Sequence, residues 1–333
     1  MRYPSGMLTV VVMIVGCGAG GEQPPVGLPD ASVPVDTEAP VIVSISPPDG
    51  ALGIGEDAVV VITFSEPMDR LSVQDSVAAA DLGAVDYTWS SDNTRLTITP
   101  VNPLSYATGS DPGVVSALPF TVIVGTGGQD VAGNTVQAGA QSTFTTYRAI
   151  AASLLSVEAL TATTDPTAVA STVGALYIGD DGNGGTAKGT RGFITMTLAG
   201  IPDEAVGIAS ATLETASVGT NGAPFLELGT LLLDHARFTI ATDAFAAATE
   251  AEVNAAFNLV PLTTVGSWMT DENTVPSMDV TDAVRTDFAE RATLGDRSQY
   301  RVRMATDLNT DANADGVLLS RDDLVLRVAY LLP

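Results

Sequence analysis

Apolar and polar residues alternate in short runs along much of the chain. Val60, Ile62 and Phe64 fall on one face of an extended segment, Leu96 and Ile98 on a second, and Phe120, Val122 and Val124 on a third. A period of two is the pattern of a strand with one buried face. Between these runs stand Pro47-Pro48-Asp49-Gly50, Ser90-Ser91-Asp92-Asn93 and Gly125-Thr126-Gly127-Gly128, all residues that favour turns. This spacing predicts a β-sandwich over 37–147. Farther along, Ile194, Met196 and Leu198 share a face opposite Thr195 and Thr197. Ala209, Ala211 and Leu213 repeat the alternation, as do Tyr300, Val302 and Met304, with Arg301 and Arg303 expected outward. Leu324 to Tyr330 is a strongly apolar last strand. Helical spacing is confined to two short segments, one capped by Thr249 and carrying Val253 and Phe257, the other capped by Thr281 and carrying Val284 and Phe288. The chain reads as all-β, with two sandwiches, two short helices and a linker at 148–161 that, having few turn residues, is an interdomain strand or a connector.

The N-terminal stretch has a different pattern. Arg2 is followed by an apolar run from Met7 to Val15 and then by Gly16-Cys17, as in a secretory leader of 1–16. The run is too short to span a bilayer. Ile14-Val15-Gly16-Cys17 resembles the lipobox of bacterial lipoproteins, and that resemblance implies acylation of Cys17 as the first residue of the mature chain. Gly18 after the anchor, rather than Asp, implies delivery to the outer membrane. Residues 17–36, with Pro24, Pro25, Pro29 and Pro34 and no apolar periodicity, are expected to tether the lipid to the first sandwich.

Five separated motifs then fall in order: Ala39-Pro40, Ser46-Pro47-Pro48-Asp49-Gly50-Ala51, Thr63-Phe64-Ser65-Glu66-Pro67-Met68-Asp69, Asp130-Val131-Ala132-Gly133-Asn134 and Phe144-Thr145-Thr146. Together they resemble a bacterial Ig-like domain. The resemblance implies a spacer or adhesive module with no catalytic residues. In the second half, Arg191-Gly192-Phe193, Ala199-Gly200-Ile201-Pro202, Ile208 to Leu213, Met278 to Val284 and Leu319 to Asp323 resemble the DNRLRE family over 162–333. Members of that family look like jelly-roll β-sandwiches, and their relatives have been grouped with carbohydrate-binding modules. The insertion from Leu231 to Val265 departs from the family pattern at the expected binding surface.

Composition narrows the partners. The 333 residues include 14 basic and 39 acidic ones, a net charge of 14 − 39 = −25 that repels phosphate backbones and argues against nucleic acid. Cys17 is the only cysteine, so no disulfide is available, and a hydrophobic content of 45% is enough to build packed cores.

The candidate chemistry is sparse. Asp307, Asn309, Asp311, Asn313 and Asp315, followed by Gly316, set oxygen ligands at alternate positions, the pattern of a calcium-binding turn with a structural role; the same residues also make good polar turns. Asp180 to Gly185 either turns the chain, the favoured reading, or holds a second cation. His235 is the only histidine and no Gly-x-Ser-x-Gly pattern is present, which argues against a hydrolase triad, and one His without a free thiol argues against zinc. Sugar binding by stacking points to Trp268, in a loop-like Gly266-Ser267-Trp268 segment, and to Tyr177, although buried anchoring is the commoner fate of Trp. The expectation is a non-enzymatic envelope lipoprotein, anchored in a membrane, that binds or adheres to polysaccharide or another envelope component. The alternatives are a purely structural envelope protein and a polysaccharide hydrolase or lyase using paired carboxylates.

Overall fold

The computed structural model describes residues 35–163, 169–170, 175–182, 188–215, 217–238, 249–269, 277–309 and 311–333. The chain divides into two units, Met1–Glu38, of which only 35–38 are described, and Ala39–Pro333. In the first, Glu38 donates its backbone N–H to Asp36 Oδ1 at 3.0 Å. Cys17, the leader and nearly all of the tether lie outside the described residues.

The second unit is all-β and begins with an Ig-like sandwich. Strands β1 (Ile42–Ser46), β2 (Val60–Phe64), β4 (Val85–Trp89) and β5 (Arg95–Pro100) form one sheet in the order β1-β2-β5-β4. Strands β3 (Val77–Ala78), β7 (Pro119–Val124) and β8 (Ala140–Thr145) form the other in the order β3-β7-β8. The core lies between them, where Val60, Ile62, Phe64, Leu96, Ile98, Phe120, Val122 and Val124 are all buried. The turn motifs hold the sheets in register. Asp49 Oδ1 accepts the Thr143 N–H at 2.8 Å, and Asp69 caps helix α1 (Arg70–Ser76) by accepting the Ser72 N–H at 2.8 Å. Asp130 is buried and folds its own loop, accepting N–H groups from Ala132 at 2.7 Å and Asn134 at 2.8 Å.

The segment read as an interdomain strand or connector is a strand. Strand β9 (Arg148–Thr163) starts three residues after β8 ends. Its first half pairs antiparallel with β20 (Val325–Leu332), its second half with β12 (Gly189–Thr197), and β6 (Ala107–Gly109) of the Ig-like sandwich pairs parallel with its beginning. The scarcity of turn residues from 148 to 161, which left a strand or a connector open, is what a long strand needs.

Two faces of strands meet around β9. On the β20 side lie β13 (Gly207–Glu214) and β17 (Met278–Asp279). On the β12 side lie β11 (Ala175–Asp180), β14 (Ser217–Asn221), β15 (Leu231–His235), β16 (Thr263–Trp268), β18 (Arg297–Met304) and β19 (Asp315–Ser320), with the short β10 (Val169–Ala170) pairing to β9 itself. The main core takes Leu326, Val328, Ala211 and Leu213 from the first set and Ile194, Met196, Tyr300 and Val302 from the second. In β13 the register shifts between Ile208 and Ser210, so Ile208, rather than Ala209, turns into the core. Helices α2 (Pro224–Glu227), α3 (Glu250–Asn258), α4 (Thr281–Ala289) and α5 (Arg291–Leu294) complete the unit. Thr249 caps α3 in a reciprocal box with Glu252, as its spacing predicts. Thr281 does not cap α4: its Oγ1 accepts the Ala211 N–H at 2.9 Å, and Asp279 Oδ1 accepts the Thr281 N–H.

Arg301 is only 2% exposed, against the expectation from its alternation with Tyr300 and Val302. The outer face of β18 is covered by the 231–265 insertion, whose Ala236, Phe238, Val253, Ala256 and Phe257 form a second small core with Phe193. Arg301 crosses beneath this cover and donates from Nη1 to the backbone oxygens of Phe257 at 2.9 Å and Leu259 at 2.8 Å, closing the C-terminal end of α3.

Candidate functional site

A cavity lies beside α4, where β13, β15 and β16 approach it. Its volume is about 870 Å³, within the range of small-molecule sites. His235 and Arg237 line it from the end of β15, Thr263 and Val265 from β16, and Arg285 and Thr286 from α4.

His235 is 2% exposed and is fixed by a buried polar chain. Its Nε2 lies 2.8 Å from Asp287 Oδ2, which also accepts the Ser298 hydroxyl at 2.7 Å, and Asp287 Oδ1 accepts from Arg237 Nη2 at 3.1 Å. The Tyr300 hydroxyl lies 2.9 Å from Ser298 Oγ, and its proton affinity is raised by burial. Asp287 accepts from Ser298 and Arg237 and, as a carboxylate, from His235 Nε2 as well, so that in the neutral imidazole the lone pair lies on Nδ1. The order of groups differs from a hydrolase triad, because the serine meets the aspartate and not the histidine. The sequence gives no hint of this chain: His235 and Asp287 are 52 positions apart, and both sit among residues with strand or helix spacing.

The Asp/Asn-rich loop is divided by the fold. Asp307 turns toward β12, where Arg191 Nε donates to its Oδ1 at 2.8 Å while the guanidinium stacks on Phe257 at 4.1 Å. Asp315 is buried; its Oδ1 accepts the Ala223 N–H at 2.6 Å and its Oδ2 the Asn309 amide at 3.2 Å. Asp180, opposite Asp315 across β11 and β19, is also buried and accepts N–H groups from Gly182 at 2.8 Å and Asn309 at 3.0 Å. Asp311 is exposed and accepts from the backbone and side chain of Asn313, bonds that hold its carboxyl below the ordinary range. The two turns meet closely, since a Cβ on Gly182 (φ +69°) would collide with the backbone of Asn313 and Ala314. Among the described residues no three carboxylates of this loop gather within 4.8 Å of one another.

Trp268 is 7% exposed and packs in the main core, not on a surface platform. Gly266 and Ser267, which gave its surroundings a loop-like look, belong to β16, whose pairing with β15 turns the indole inward. Tyr177 is partly buried, and its hydroxyl donates to the backbone oxygen of Asp180. Its proton affinity is pushed up to about 12 by burial and by Asp180, Asp315 and Asp181. It braces the turn instead of facing a ligand.

The two sheets and turn clamps of the N-terminal sandwich agree with a family comparison. Residues 36–146 match the model of a bacterial Ig-like domain. No curated protein matches the chain. Among solved structures, the N-terminal part of the bacterial S-layer protein SbsC is 14% identical, with 48% of this chain and 40% of that one covered at a TM-score of 0.23. Native alpha-2-macroglobulin from Escherichia coli, spanning domains MG0-NIE-MG1, is 12% identical, with coverage of 74% and 62% and a TM-score of 0.26. The chain spans less than two thirds of either structure, and similarity at these scores carries no weight for function. The Ig-like sandwich ends at the start of β9, where Arg148 binds both parts of the unit. Its Nη1 donates to Pro112 O at 2.9 Å and Val115 O at 3.2 Å, and its Nε to Pro333 O at 3.0 Å.

Proposed function

We propose that the chain is a non-enzymatic envelope protein, anchored to a membrane through acylated Cys17, that acts as a binding or adhesion module with polysaccharide as its ligand class. The observation that carries this reading is the direct passage of the Ig-like sandwich into the second one. Strand β9 belongs to the second domain from its first residue, β6 pairs with it, and Arg148 ties both sides together. A spacer that presents a binding domain benefits from such a fixed joint, whereas a flexible linker would let the domain swing. The match to a bacterial Ig-like domain supports placement at a cell surface or envelope.

A polysaccharide hydrolase is the less favoured reading. A glycosidase acid needs a raised proton affinity. On the cavity wall, Asp279 is shifted the other way, lowered by hydrogen bonds from the Thr281 side chain and backbone. The purified full-length protein on a glycan array, with and without calcium, tests the proposal. Saturable binding to a defined polysaccharide class is expected, and no binding under either condition removes the polysaccharide reading.

A further inference from the structure

Two polar atoms on the wall of the α4 cavity lack a partner within the fold, Arg237 Nε, which is sealed from solvent, and His235 Nδ1, which is not. Among the described residues His235 makes a single side-chain hydrogen bond, to Asp287 through Nε2. Its Nδ1 is not among the sealed, unpartnered polar atoms, although the residue is 98% buried and lines the cavity. A buried imidazole held by a carboxylate in one tautomer, with its lone pair reaching a cavity, is a preorganised acceptor.

The other charges on the wall are already engaged. Arg237 is paired with Asp287 at 3.1 Å and Glu290 at 2.8 Å. Arg285 donates to the backbone oxygens of Ile208 and Ala209, both at 2.9 Å, and reaches Asp282 at 3.5 Å. An anion entering the cavity finds both guanidinium groups already paired, the one unpartnered N–H, Arg237 Nε, sealed from it, and Glu290 and Asp279 in its way. A cationic ligand meets the two guanidinium groups and finds the wall carboxylates already engaged, Glu290 by Arg237, Asp282 by Arg285 and Asp279 by the Thr281 N–H. What fits is an uncharged molecule whose groups both donate and accept, which is the property of a hydroxyl. The apolar side chains of Leu262, Val265 and Val280 offer surface for the C–H face of such a molecule.

We propose that the α4 cavity binds an uncharged, hydroxyl-rich ligand of mono- to disaccharide size, one of whose hydroxyls donates to His235 Nδ1. The proposal rests on the reading of the chain as a binding module and gives that module its site and its selectivity for neutral over acidic sugars.

Because His235 is the only histidine, its ring resonances report on this cavity alone. The full-length protein with isotope-labelled histidine is titrated with cellobiose, maltose and lactose, and separately with glucuronate. At least one neutral disaccharide is expected to shift the ring signals saturably, and glucuronate is expected to leave them in place. Thr286→Trp, an exposed position on the wall, should abolish the shift by filling the cavity with the His235 chain intact. His235→Gln keeps a donor for Asp287 but lacks the second nitrogen, and should weaken binding at least tenfold by calorimetry. Unmoved ring signals with every neutral disaccharide, or a shift that persists in Thr286→Trp, overturns the proposal. Array binding with a silent His235 ends the cavity proposal and leaves the binding module standing. A silent array with a sugar-responsive ring ends the polysaccharide reading and leaves the cavity.

Discussion

Arg301 Nη2 lies 2.7 Å from Asp234 Oδ2, and the two side chains are 3% and 0% exposed. Arg303 Nε adds a second contact to the same oxygen at 2.8 Å, and Thr264 donates to Oδ1 at 2.8 Å. Removing the carboxylate leaves a buried guanidinium without its counterion, a loss of about 3–5 kcal/mol. Asp234→Ala is therefore expected to shift the urea midpoint strongly, and a midpoint near that of the wild type would show that the pair contributes little.

The same carboxylate predicts a pH dependence. Burial raises its proton affinity, but the hydrogen bonds from Arg303, Arg301 and Thr264 outweigh it and hold the folded value below the ordinary 3.8. A group whose folded value is depressed contributes stability that is complete above the unfolded value and is lost as pH falls through the folded one. Stability should hold above about pH 5 and decline below about pH 4. Asp234→Asn should have a shallower decline in that range; equal slopes in urea titrations at several pH values would remove Asp234 as the cause.

Trp268 is expected to matter for folding and not for ligand. Trp268→Ala opens the main core and should cost about 3–5 kcal/mol. Trp268→Phe keeps most of the packing and should leave glycan binding as it is. Selective loss of binding in the phenylalanine variant, with an unchanged melting temperature, would restore the indole as a recognition residue.

Asp307 and Asp311 separate two roles within one loop. Asp307 is committed to Arg191, so Asp307→Ala should lower the melting temperature in chelator. Asp311 is exposed, and its replacement by Ala should change little in chelator while removing any rise produced by millimolar calcium. A calcium response that survives Asp311→Ala excludes this residue as a ligand.

Cys17→Ser should move the protein from the membrane to the soluble fraction and abolish incorporation of an alkyne-labelled fatty acid. Retention in the membrane with no label incorporated by either form would end the anchor proposal.

The Ig-like sandwich was legible because its strands are half-buried, so Val60, Ile62 and Phe64 alternate visibly with polar neighbours. The second sandwich hides more. Strand β18 is covered on both sides, and alternation alone cannot distinguish an arginine facing water from one facing a carboxylate 67 positions away. Trp268 takes the buried-anchor alternative, and its stacking reading arose because a strand containing Gly and Ser resembles a loop until its partner is known. The His235 chain joins residues from β15, α4 and β18, and no local pattern records that meeting. Local rules read an element with one solvent face, and they fail where long-range contacts supply the second.

Strand β9 also sets where the chain can be divided. It stands between β12 and β20, with pairing along both. A fragment starting at residue 162, the boundary suggested by the motifs, would lose nearly all of this strand and leave the backbone of two neighbours without partners. Tolerated fusion and truncation points therefore lie before Arg148, and even there the cut surrenders the pairing with β6. The natural unit for exchange or engineering is the Ig-like sandwich and its successor together.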